Sequence, residues 1–442
     1  MNLLEALHWV GGGPLAVVLI LAGFYLTMRS GFIPLRRFPA VVYLTLGTLF
    51  RRCGREVRPG DISPFQALTT ALAATVGTGN IAGVATAITL GGPGAIFWMW
   101  VSAFFGMTTK FSEIVLAVHY RRRTRDGGVV GGPMYALEHG LGYRFLGLLF
   151  ALFGATAAFG IGNLVQANSL AAVVRVTFGV PPLLTGIVLA ALIAVVILGG
   201  IHRIGSITEK LVPSMALFYV ISALVILLLH YTALPGALAE IIRGAFTGRA
   251  AAGGFAGAGV LQGMRYGVTR GVFSNEAGLG SASIAHAAAR TDHPVRQGLW
   301  GIIEVFIDTH VICTLTALVL LATGAWTGSQ EGASMTAEAF NRGLPGPGSV
   351  IVTIGLIFFA FSTLLSWSYY GEKCFEYLTA GVGGIYYRLA WIALIVVGSM
   401  GGLRAVWAIA DTLNALMALP NLVGLLGLSG LVFQLNRQFW KK

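Results

Sequence analysis

Long apolar runs, separated by short polar stretches, recur along the whole chain. About 20 apolar residues are enough for a helix to cross a bilayer, at a rise of about 1.5 Å per residue. The pattern therefore predicts an all-α membrane protein with about eleven transmembrane helices. The expected crossings are residues 14–27, 64–90, 93–118, 145–178, 182–198, 212–230, 253–289, 299–322, 350–370, 385–400 and 406–433. Outside the bilayer, we expect 38–50 along the membrane surface, 233–252 at the interface and 335–342 as a short external helix.

Two of the expected crossings are interrupted at mid-depth by residues that form helices poorly. The first, 64–90, contains Gly77-Thr78-Gly79-Asn80, and the second, 253–289, contains the polar, glycine-rich stretches 267–271 and 274–280. Glycine and asparagine readily leave the helical conformation. Unwound backbone is tolerated in hydrocarbon only where it lines a cavity or meets a ligand, so we expect a binding site built mostly from backbone. The alternative is that the glycines merely allow helices to pack closely.

Each interrupted crossing opens a group of five crossings. Because five is odd, the second group starts from the opposite side of the membrane, which indicates an inverted repeat with a site near the midplane. The predicted fold is thus two inverted five-helix repeats preceded by one extra N-terminal helix. The expected divisions are 1–62 (N-terminal helix and cytoplasmic amphipathic segment), 63–232 (first repeat), 233–252 (extracellular linker), 253–436 (second repeat) and 437–442 (cytoplasmic tail).

Composition and charge support this class and give it an orientation. Of 442 residues, 56% are hydrophobic and only 10% are charged, which leaves no charge-rich part for a soluble domain. The net charge of +12 does not indicate nucleic acid, because the basic residues cluster at the ends of alternate crossings. Seven arginines lie between residues 29 and 58, and no Lys or Arg precedes residue 14. The N-terminus is therefore expected outside and the C-terminus in the cytoplasm, with the first helix retained rather than cleaved as a signal peptide.

Five sequence motifs, in this order along nearly the whole chain, closely resemble the alanine or glycine:cation symporter family. As a joint pattern they are specific, although each alone is weak. The resemblance implies the inverted-repeat fold just described and import of alanine or glycine with sodium, occasionally with protons, through a bacterial or archaeal plasma membrane. It also implies a chain that works as a monomer in the lipid bilayer. The motifs are residues 77–83 (GTGNIAG), 91–100 (GGPGAIFWMW), 106–113 (GMTTKFSE), 131–135 (GGPMY) and 271–278 (GVFSNEAG).

The candidate substrate site follows from the chemistry of an amino-acid zwitterion, whose carboxylate and ammonium both need partners in a low-dielectric site. Backbone N–H groups near Thr78 and Gly79 suit the carboxylate, with help from the Asn80 amide. Freed carbonyls and side-chain oxygens of the second break suit the ammonium. Gln166 lies in an apolar stretch and should face the interior, unless it only joins two helices. The expected substrate residues are Thr78, Gly79, Asn80, Gln166, Phe273, Ser274, Asn275 and Trp367.

A candidate sodium site combines hydroxyl and carbonyl oxygens, which suit a hard cation. Ser362 and Thr363 lie mid-helix, and the resemblance implies that they act with the carbonyls of Ala73, Val76 and Phe359. The alternative is that both hydroxyls bond back to the preceding turn of their own helix. Trp367, one turn after Thr363, would close the substrate's side-chain pocket, or it is simply a core or interfacial tryptophan.

Several intramembrane charges admit more than one interpretation. Glu113 and Lys110 are one turn apart, so we expect an ion pair. Glu304 and Asp308 share a helix face and form either a proton relay or a pair neutralised by neighbours such as Arg270 or His310. Other charged positions, Glu372, Lys373 and Asp411, are expected at a gate or loop or have no assigned role. The cysteines, Cys53, Cys313 and Cys374, are odd in number and widely spaced, which favours neither a disulfide framework nor a metal site.

Two other function classes compete with a sodium-coupled or proton-coupled carrier. A channel needs a continuous lining with rings of carbonyls or charges, usually from identical subunits, whereas one pair of broken helices favours a closed site with alternating access. A membrane enzyme needs a nucleophile with its base or a metal-binding set. No H-x-x-H or G-x-S-x-G motif lies on an expected crossing, so we do not expect an enzyme.

Overall fold

The structure is a computed structural model that describes residues 14–50, 60–124, 127–247, 256–401 and 403–441. These residues are helical almost throughout, which confirms the predicted all-α class. A two-stranded antiparallel ribbon joins Arg122–Arg123 (β1) to Val129–Val130 (β2). Several expectations lie outside the described residues: those for residues 1–13, for the arginines and Cys53 at 51–58, and for the side chain of Asp411.

The helices up to the middle of the chain are α1 Pro14–Arg29, α2 Ile33–Arg36, α3 Phe38–Leu44, α4 Pro64–Thr75, α5 Val84–Gly91, α6 Ala95–His119, α7 Pro133–Gly140, α8 Arg144–Ala157, α9 Val165–Phe178, α10 Pro182–Ile197, α11 Gly200–Leu229 and α12 Leu234–Thr247. The remaining helices are α13 Ala256–Asn275, α14 Ser281–Ala287, α15 Pro294–Val305, α16 Thr314–Ala322, α17 Gly332–Gly343, α18 Gly348–Leu378, α19 Gly384–Met400, α20 Leu403–Gly427 and α21 Ser429–Lys441. Short 3-10 turns cover Leu46–Phe50, Tyr231–Ala233 and Ala325–Thr327.

Several of these helices are long and apolar enough to cross a membrane. Five qualify on length and hydropathy among the described residues. Two bent pairs, α4 with α5 and α20 with α21, also qualify when each is counted as one span. Shorter apolar helices, α1, α10 and α19, lie at three further expected crossings, and α13 with α14 covers the described part of 253–289. The continuous spans are Ala95–His119, Arg144–Phe178, Gly200–Leu229, Pro294–Ala322 and Gly348–Leu378.

The two crossings that the sequence predicted to be interrupted lie side by side and run in opposite directions. The first consists of α4 and α5, and the second of α13 and α14. The opening half of each packs against the closing half of the other, α4 with α14 and α5 with α13. At one end, the Asp61 N–H donates to the Ala288 carbonyl (2.8 Å), and the Arg290 N–H donates to the Ile62 carbonyl (2.8 Å). This antiparallel pairing is the geometry expected of the leading helices of an inverted repeat.

Local sequence explains where the first broken span begins. Ser63 forms a capping box with Gln66: the Ser63 hydroxyl accepts from the Gln66 N–H (3.1 Å), and the Gln66 side-chain oxygen accepts from the Ser63 N–H (2.9 Å). Pro64 occupies the first helical turn, where its missing N–H costs nothing. The helix ends after Thr75, because Val76 (φ −76°, ψ 86°) leaves the helical conformation.

The end of the chain differs from the prediction of one span over 406–433. Helix α20 ends at Gly427, and α21 departs from it with a bend of 57°. Gly427 and Gly430 weaken the helix there, and α21 buries Val432, Phe433 and Asn436 on one face. The end of the second repeat, expected at residue 436, therefore falls inside the continuous helix α21.

Candidate functional site

The first break is a short unwound segment closed by a π-helical turn. After Val76, the Gly77 N–H donates to the Asn80 side-chain oxygen (2.9 Å), and the Asn80 N–H donates to the Gly77 carbonyl (3.3 Å). A π-helical turn covers Gly79–Gly83 before α5 begins. The two halves of the span meet at 51°, so this crossing is broken where the sequence predicted.

The second break follows α13 and depends on left-handed backbone. Glu276 (φ 56°), Gly278 (φ 97°) and Gly280 (φ 79°) all have positive φ, a conformation that only glycine adopts readily. The Asn275 side-chain oxygen accepts from the Ala277 N–H (3.0 Å) and stabilises the turn. Glu113 Oε1, on α6, accepts from the N–H groups of Gly278 (2.9 Å) and Gly280 (3.0 Å).

The two breaks contact each other directly. A Cβ atom on Gly79 would lie 3.3 Å from both Phe273 Cδ1 and Ser274 Cα. A side chain at this position would push the first break away from the second, which gives a physical reason for glycine here. The predicted substrate residues Gly79, Phe273 and Ser274 are therefore neighbours.

A buried carboxylate, Asp308, joins the two breaks. Asn80 Nδ2 donates to Asp308 Oδ1 (2.6 Å), and Ser274 Oγ donates to both carboxylate oxygens (3.1 and 3.0 Å). Thr309 Oγ1 donates to Asp308 Oδ2 (2.7 Å). Among the described residues, Asp308 forms no ion pair with Lys, Arg or His. From the sequence, Asp308 was expected to form with Glu304 either a proton relay or a pair neutralised by neighbours, and not to contact the two breaks. A carboxylate at mid-span was nevertheless a signal for a role in the site.

Gln166 approaches the first break from the span α8–α9. Its Nε2 donates to Thr78 Oγ1 (3.4 Å) and to the Ile161 carbonyl (3.1 Å). Its Oε1 is buried and has no hydrogen-bond partner in the part of the chain that the structure describes. Gln166 thus forms the interhelical bond that was one interpretation, and it also keeps an unused acceptor beside Thr78.

Trp367 is a residue of α18, and its side chain lies in the core beside the second break. Its Nε1 donates to Glu276 Oε1 (2.9 Å), and only 1% of its surface is exposed. A Cβ on Gly162 would lie 2.2 Å from Trp367 Cβ, so the indole is held between two spans. Asn275, by contrast, is turned into the protein, where its Nδ2 donates to Thr309 Oγ1 (3.1 Å).

Four of the five predicted sodium ligands, Ala73, Phe359, Ser362 and Thr363, come together where α18 meets the end of α4. Ser362 Oγ lies 3.2 Å and Thr363 Oγ1 lies 3.1 Å from the Ala73 carbonyl. Both hydroxyls also lie 2.9 Å from the Phe359 carbonyl, so they bond back along their own helix and reach across to α4. Val76, the fifth predicted ligand, is the residue at which the chain leaves the helical conformation after α4. This arrangement gathers hydroxyl and carbonyl oxygens of the kind that hard cations prefer.

The charged residues in the core pair differently from the prediction. Lys110 contacts Glu304 (3.1 Å) on α15 rather than Glu113, and His286 Nε2 lies 3.1 Å from the other Glu304 oxygen. Glu113 is instead an acceptor for N–H groups of the second break and for Asn421 Nδ2 (2.7 Å). The predicted ion pair between Lys110 and Glu113 is wrong, because the unwound backbone supplies donors that sequence spacing does not reveal.

Near one end of α18, Glu372 forms a bidentate ion pair with Arg388 of α19, with distances of 2.6 and 2.7 Å. Lys373 pairs with Glu376 (2.6 Å). Glu372 therefore connects α18 to α19, whereas the pair of Lys373 with Glu376 lies within α18. Cys313 and Cys374 are buried free thiols.

Three π-helical stretches surround the site, and sequence analysis missed two of them. They cover Gly79–Gly83, Ala158–Leu164 and Phe306–Cys313. A π-helical turn leaves backbone groups without regular partners and is frequent at functional sites. One of the missed stretches directly precedes Gln166, and the other carries Asp308.

Comparison with known proteins gives a family match over nearly the whole chain. The model of the sodium:alanine symporter family matches residues 2–442. The sodium/alanine symporter AgcS of Methanococcus maripaludis is 52% identical over 424 residues, covering 94% of this chain and 91% of that protein. The probable sodium/glutamine symporter GlnT of Bacillus subtilis is 40% identical over 400 residues, covering 90% and 81%.

The fold also has a counterpart among solved structures. A mutant of the manganese transporter of Eremococcus coleocola superposes with a TM-score of 0.52 at 13% identity, over 82% of this chain and 76% of that one. At this identity the likeness concerns the fold alone, and it agrees with the membrane-transporter architecture described above.

Proposed function

Because the chain belongs to the sodium:alanine symporter family, we propose that it imports alanine or glycine together with sodium by alternating access. The observation that carries the proposal is the direct contact between the two breaks beside a carboxylate that has no cationic partner among the described residues. An amino-acid ammonium or a cation would supply the charge that this site lacks.

The zwitterion is bound by both broken spans. Its carboxylate meets the N–H groups around Thr78 and Gly79, where a new half-helix begins and its dipole favours negative charge. The unused oxygen of Gln166 and the hydroxyl of Ser274 are acceptors for the ammonium, and Asp308 provides its counter-charge. The proposal therefore adds Asp308 to the predicted substrate residues. It assigns Asn275 to support of the second break rather than to substrate contact.

Small substrates are favoured by the packing around the site. Phe273 lies within a few ångström of Gly79, and Trp367 is held in place by Gly162 and Glu276. In this proposal, the two aromatic side chains limit the substrate side chain to a methyl group or a hydrogen. Similarity to a sodium/alanine symporter supports the same choice.

Sodium acts through the shape of the first break. Ser362 and Thr363 on α18, with the carbonyls of Ala73 and Phe359, hold the cation beside the residue at which α4 unwinds. A cation there stabilises the unwound segment, and the unwound segment presents the N–H groups that bind substrate. The two ligands therefore favour one local structure, which is a coupling free energy between their sites.

The burial of the site and the antiparallel pair of broken spans support alternating access. Asn80, Gln166, Ser274 and Asp308 are all buried, so a substrate reaches them only when the spans move. The pair of antiparallel broken spans offers a gate on each side. The positions of the basic clusters support an N-terminus outside and a C-terminus in the cytoplasm, and the proposed transporting unit is the single chain.

The test is thermal unfolding of the purified protein across a panel of amino acids, with sodium or with potassium as the matched control cation. A ligand that binds the native state raises its melting temperature by mass action. We expect alanine and glycine to stabilise, glutamine and leucine to have little effect, and the stabilisation to require sodium. Equal stabilisation in potassium would exclude sodium coupling, and no response to any amino acid would exclude the substrate class.

Counterflow in proteoliposomes separates the carrier from a channel. Vesicles loaded with unlabelled alanine should transiently accumulate labelled alanine above equilibrium if one site alternates between two sides. A channel gives no such overshoot. If no overshoot were observed, the carrier would have to be replaced by a pore.

A further inference from the structure

The C-terminal helix α21 packs against the end of the first helix and forms a basic surface with it. Helix α21 turns away from α20 by 57° and buries Val432 and Phe433. Asn436 Nδ2 donates to the Ser30 carbonyl (3.4 Å), which fixes α21 against the end of α1. A bent, amphipathic terminal helix of this kind is suited to lie at a membrane surface.

Two adjoining cavities lie between these helices. Their volumes are about 300 and 360 Å³, and they share Arg437 and Lys441. Each is on the order of ten water volumes, enough for a phosphate group with its nearest substituents. Five basic residues and no acidic residue line the pair: Arg29, Arg36, Arg37, Arg437 and Lys441.

The positive charge of the cavities is not neutralised within the described protein. None of the five basic residues forms an ion pair with a described carboxylate. Two of them are held by aromatic rings instead: the Arg29 guanidinium lies 5.5 Å from the Phe433 ring centre, and the Arg37 guanidinium lies 5.1 Å from the Trp440 ring centre. Cation–π contacts orient a guanidinium and leave its charge available. Five basic residues without a described carboxylate partner, two of them oriented by aromatic rings, form a site that favours an anion.

The protein surface around the cavities indicates which anion fits. Helix α1 exposes Leu21, Phe24 and Met28 on its outer side, so this side faces lipid. Leu35, beside the basic cluster, is 67% exposed, and Trp440 lies in the wall of one cavity. Exposed apolar side chains on the helix that ends at Arg29, a residue of the first cavity, match acyl chains below a phosphate.

We propose that these two cavities bind the headgroup of an anionic phospholipid, whose acyl chains lie along the exposed side of α1. The guanidinium groups of Arg37 and Arg437 contact the phosphate, and Trp440 lies at the headgroup level. The lipid joins the first helix to the last one. Its binding is independent of which solute the protein transports.

The experiment compares three additives on the purified full-length protein in neutral detergent. Dioctanoyl phosphatidylglycerol, dioctanoyl phosphatidylcholine and free glycerol phosphate are titrated while thermal unfolding is measured. Because a native-state ligand raises the melting temperature, we expect a saturable rise with phosphatidylglycerol alone. An equal rise with phosphatidylcholine would show that only acyl chains matter. An equal rise with glycerol phosphate would identify a soluble anion, and either result overturns the proposal.

Two charge-matched double variants locate the site. Arg37→Gln with Arg437→Gln should weaken the apparent affinity for phosphatidylglycerol by about 30-fold, the sum expected for two basic residues at an anionic surface. Arg122→Gln with Arg123→Gln removes the same charge from two exposed residues of β1 and should leave the affinity unchanged. Equal losses in both pairs would show unspecific attraction and overturn the site. If the first pair does not fold, Arg437→Gln alone serves in its place, with a loss of about fivefold.

Discussion

At the scale of single residues, Asp308 is the buried carboxylate that contacts both breaks. Asn80 and Ser274 donate to it from opposite sides, and Thr309 donates from its own helix. Such a carboxylate is costly without a counter-charge, and a site that must release its ligand in each cycle is one setting where this cost is useful. Glu304 differs, because Lys110 and His286 contact it directly.

The substitution Asp308→Asn tests this distinction. Asparagine keeps the shape and part of the hydrogen bonding and removes the charge, so alanine affinity should fall by about 100-fold. The melting temperature without ligand should stay constant or rise, because an isolated buried charge is removed. Binding of labelled alanine and thermal unfolding measure the two quantities.

Glu304→Gln is the matched control on the same span. It should lower stability by about 3–5 kcal/mol, because Lys110 is left as a buried charge without its partner. If Asp308→Asn bound alanine as tightly as the unmodified protein, the counter-charge would have to come from elsewhere.

At the scale of elements, hydropathy and glycine content predicted the spans and both breaks, because apolar length and poor helix formers are local properties. The resemblance to the symporter family, made on motifs such as residues 77–83 and 271–278, is confirmed by the family match. The π-helical stretches at Ala158–Leu164 and Phe306–Cys313 were not predicted, although the first contains two glycines and Asn163 and the second contains Asp308 and His310. Glycines and polar residues inside a span indicate an irregularity, but they do not distinguish a π-helical turn from a regular helix with small residues. The bend at Leu428 depends on packing of α21, and the partner of Lys110 depends on how α6 meets α15.

A prediction at this scale concerns the contact between α18 and the π-helical stretch before Gln166. Gly162→Ala would place a Cβ 2.2 Å from Trp367 Cβ, so the two spans must separate or the indole must move. Overpacking of this kind costs about 1–3 kcal/mol, and alanine binding should weaken together with thermal stability.

Gly236→Ala is its control, because a Cβ at this position of α12 meets nothing within 4 Å. Alanine is the better helix former, so this variant should be neutral or more stable by up to about 1 kcal/mol. Equal stability of the two variants would mean that the contact at Trp367 is not a close one in solution.

At the scale of the whole molecule, the proposed cation and substrate sites are two sides of the same unwound segment. Ser362 and Thr363 contact Ala73 at the end of α4, and Thr78 and Gly79 follow only a few residues later. If each ligand stabilises this segment, sodium must raise alanine affinity by the same factor as alanine raises sodium affinity. Coupling of this kind typically amounts to about 5–150-fold.

Thr363→Ala should reduce this factor in both directions, because it removes one of the hydroxyls that join α18 to the first break. Sodium affinity should fall by about tenfold or more, with a smaller change in maximal uptake rate. Thr353→Ala, on the same helix but bonded to Thr177 and Ser349, should leave the factor unchanged. Binding isotherms for alanine at several sodium concentrations, and for sodium at several alanine concentrations, measure both sides of the linkage. A factor of one in the unmodified protein would show that the two ligands are not coupled, and an unchanged factor in Thr363→Ala would place the cation elsewhere.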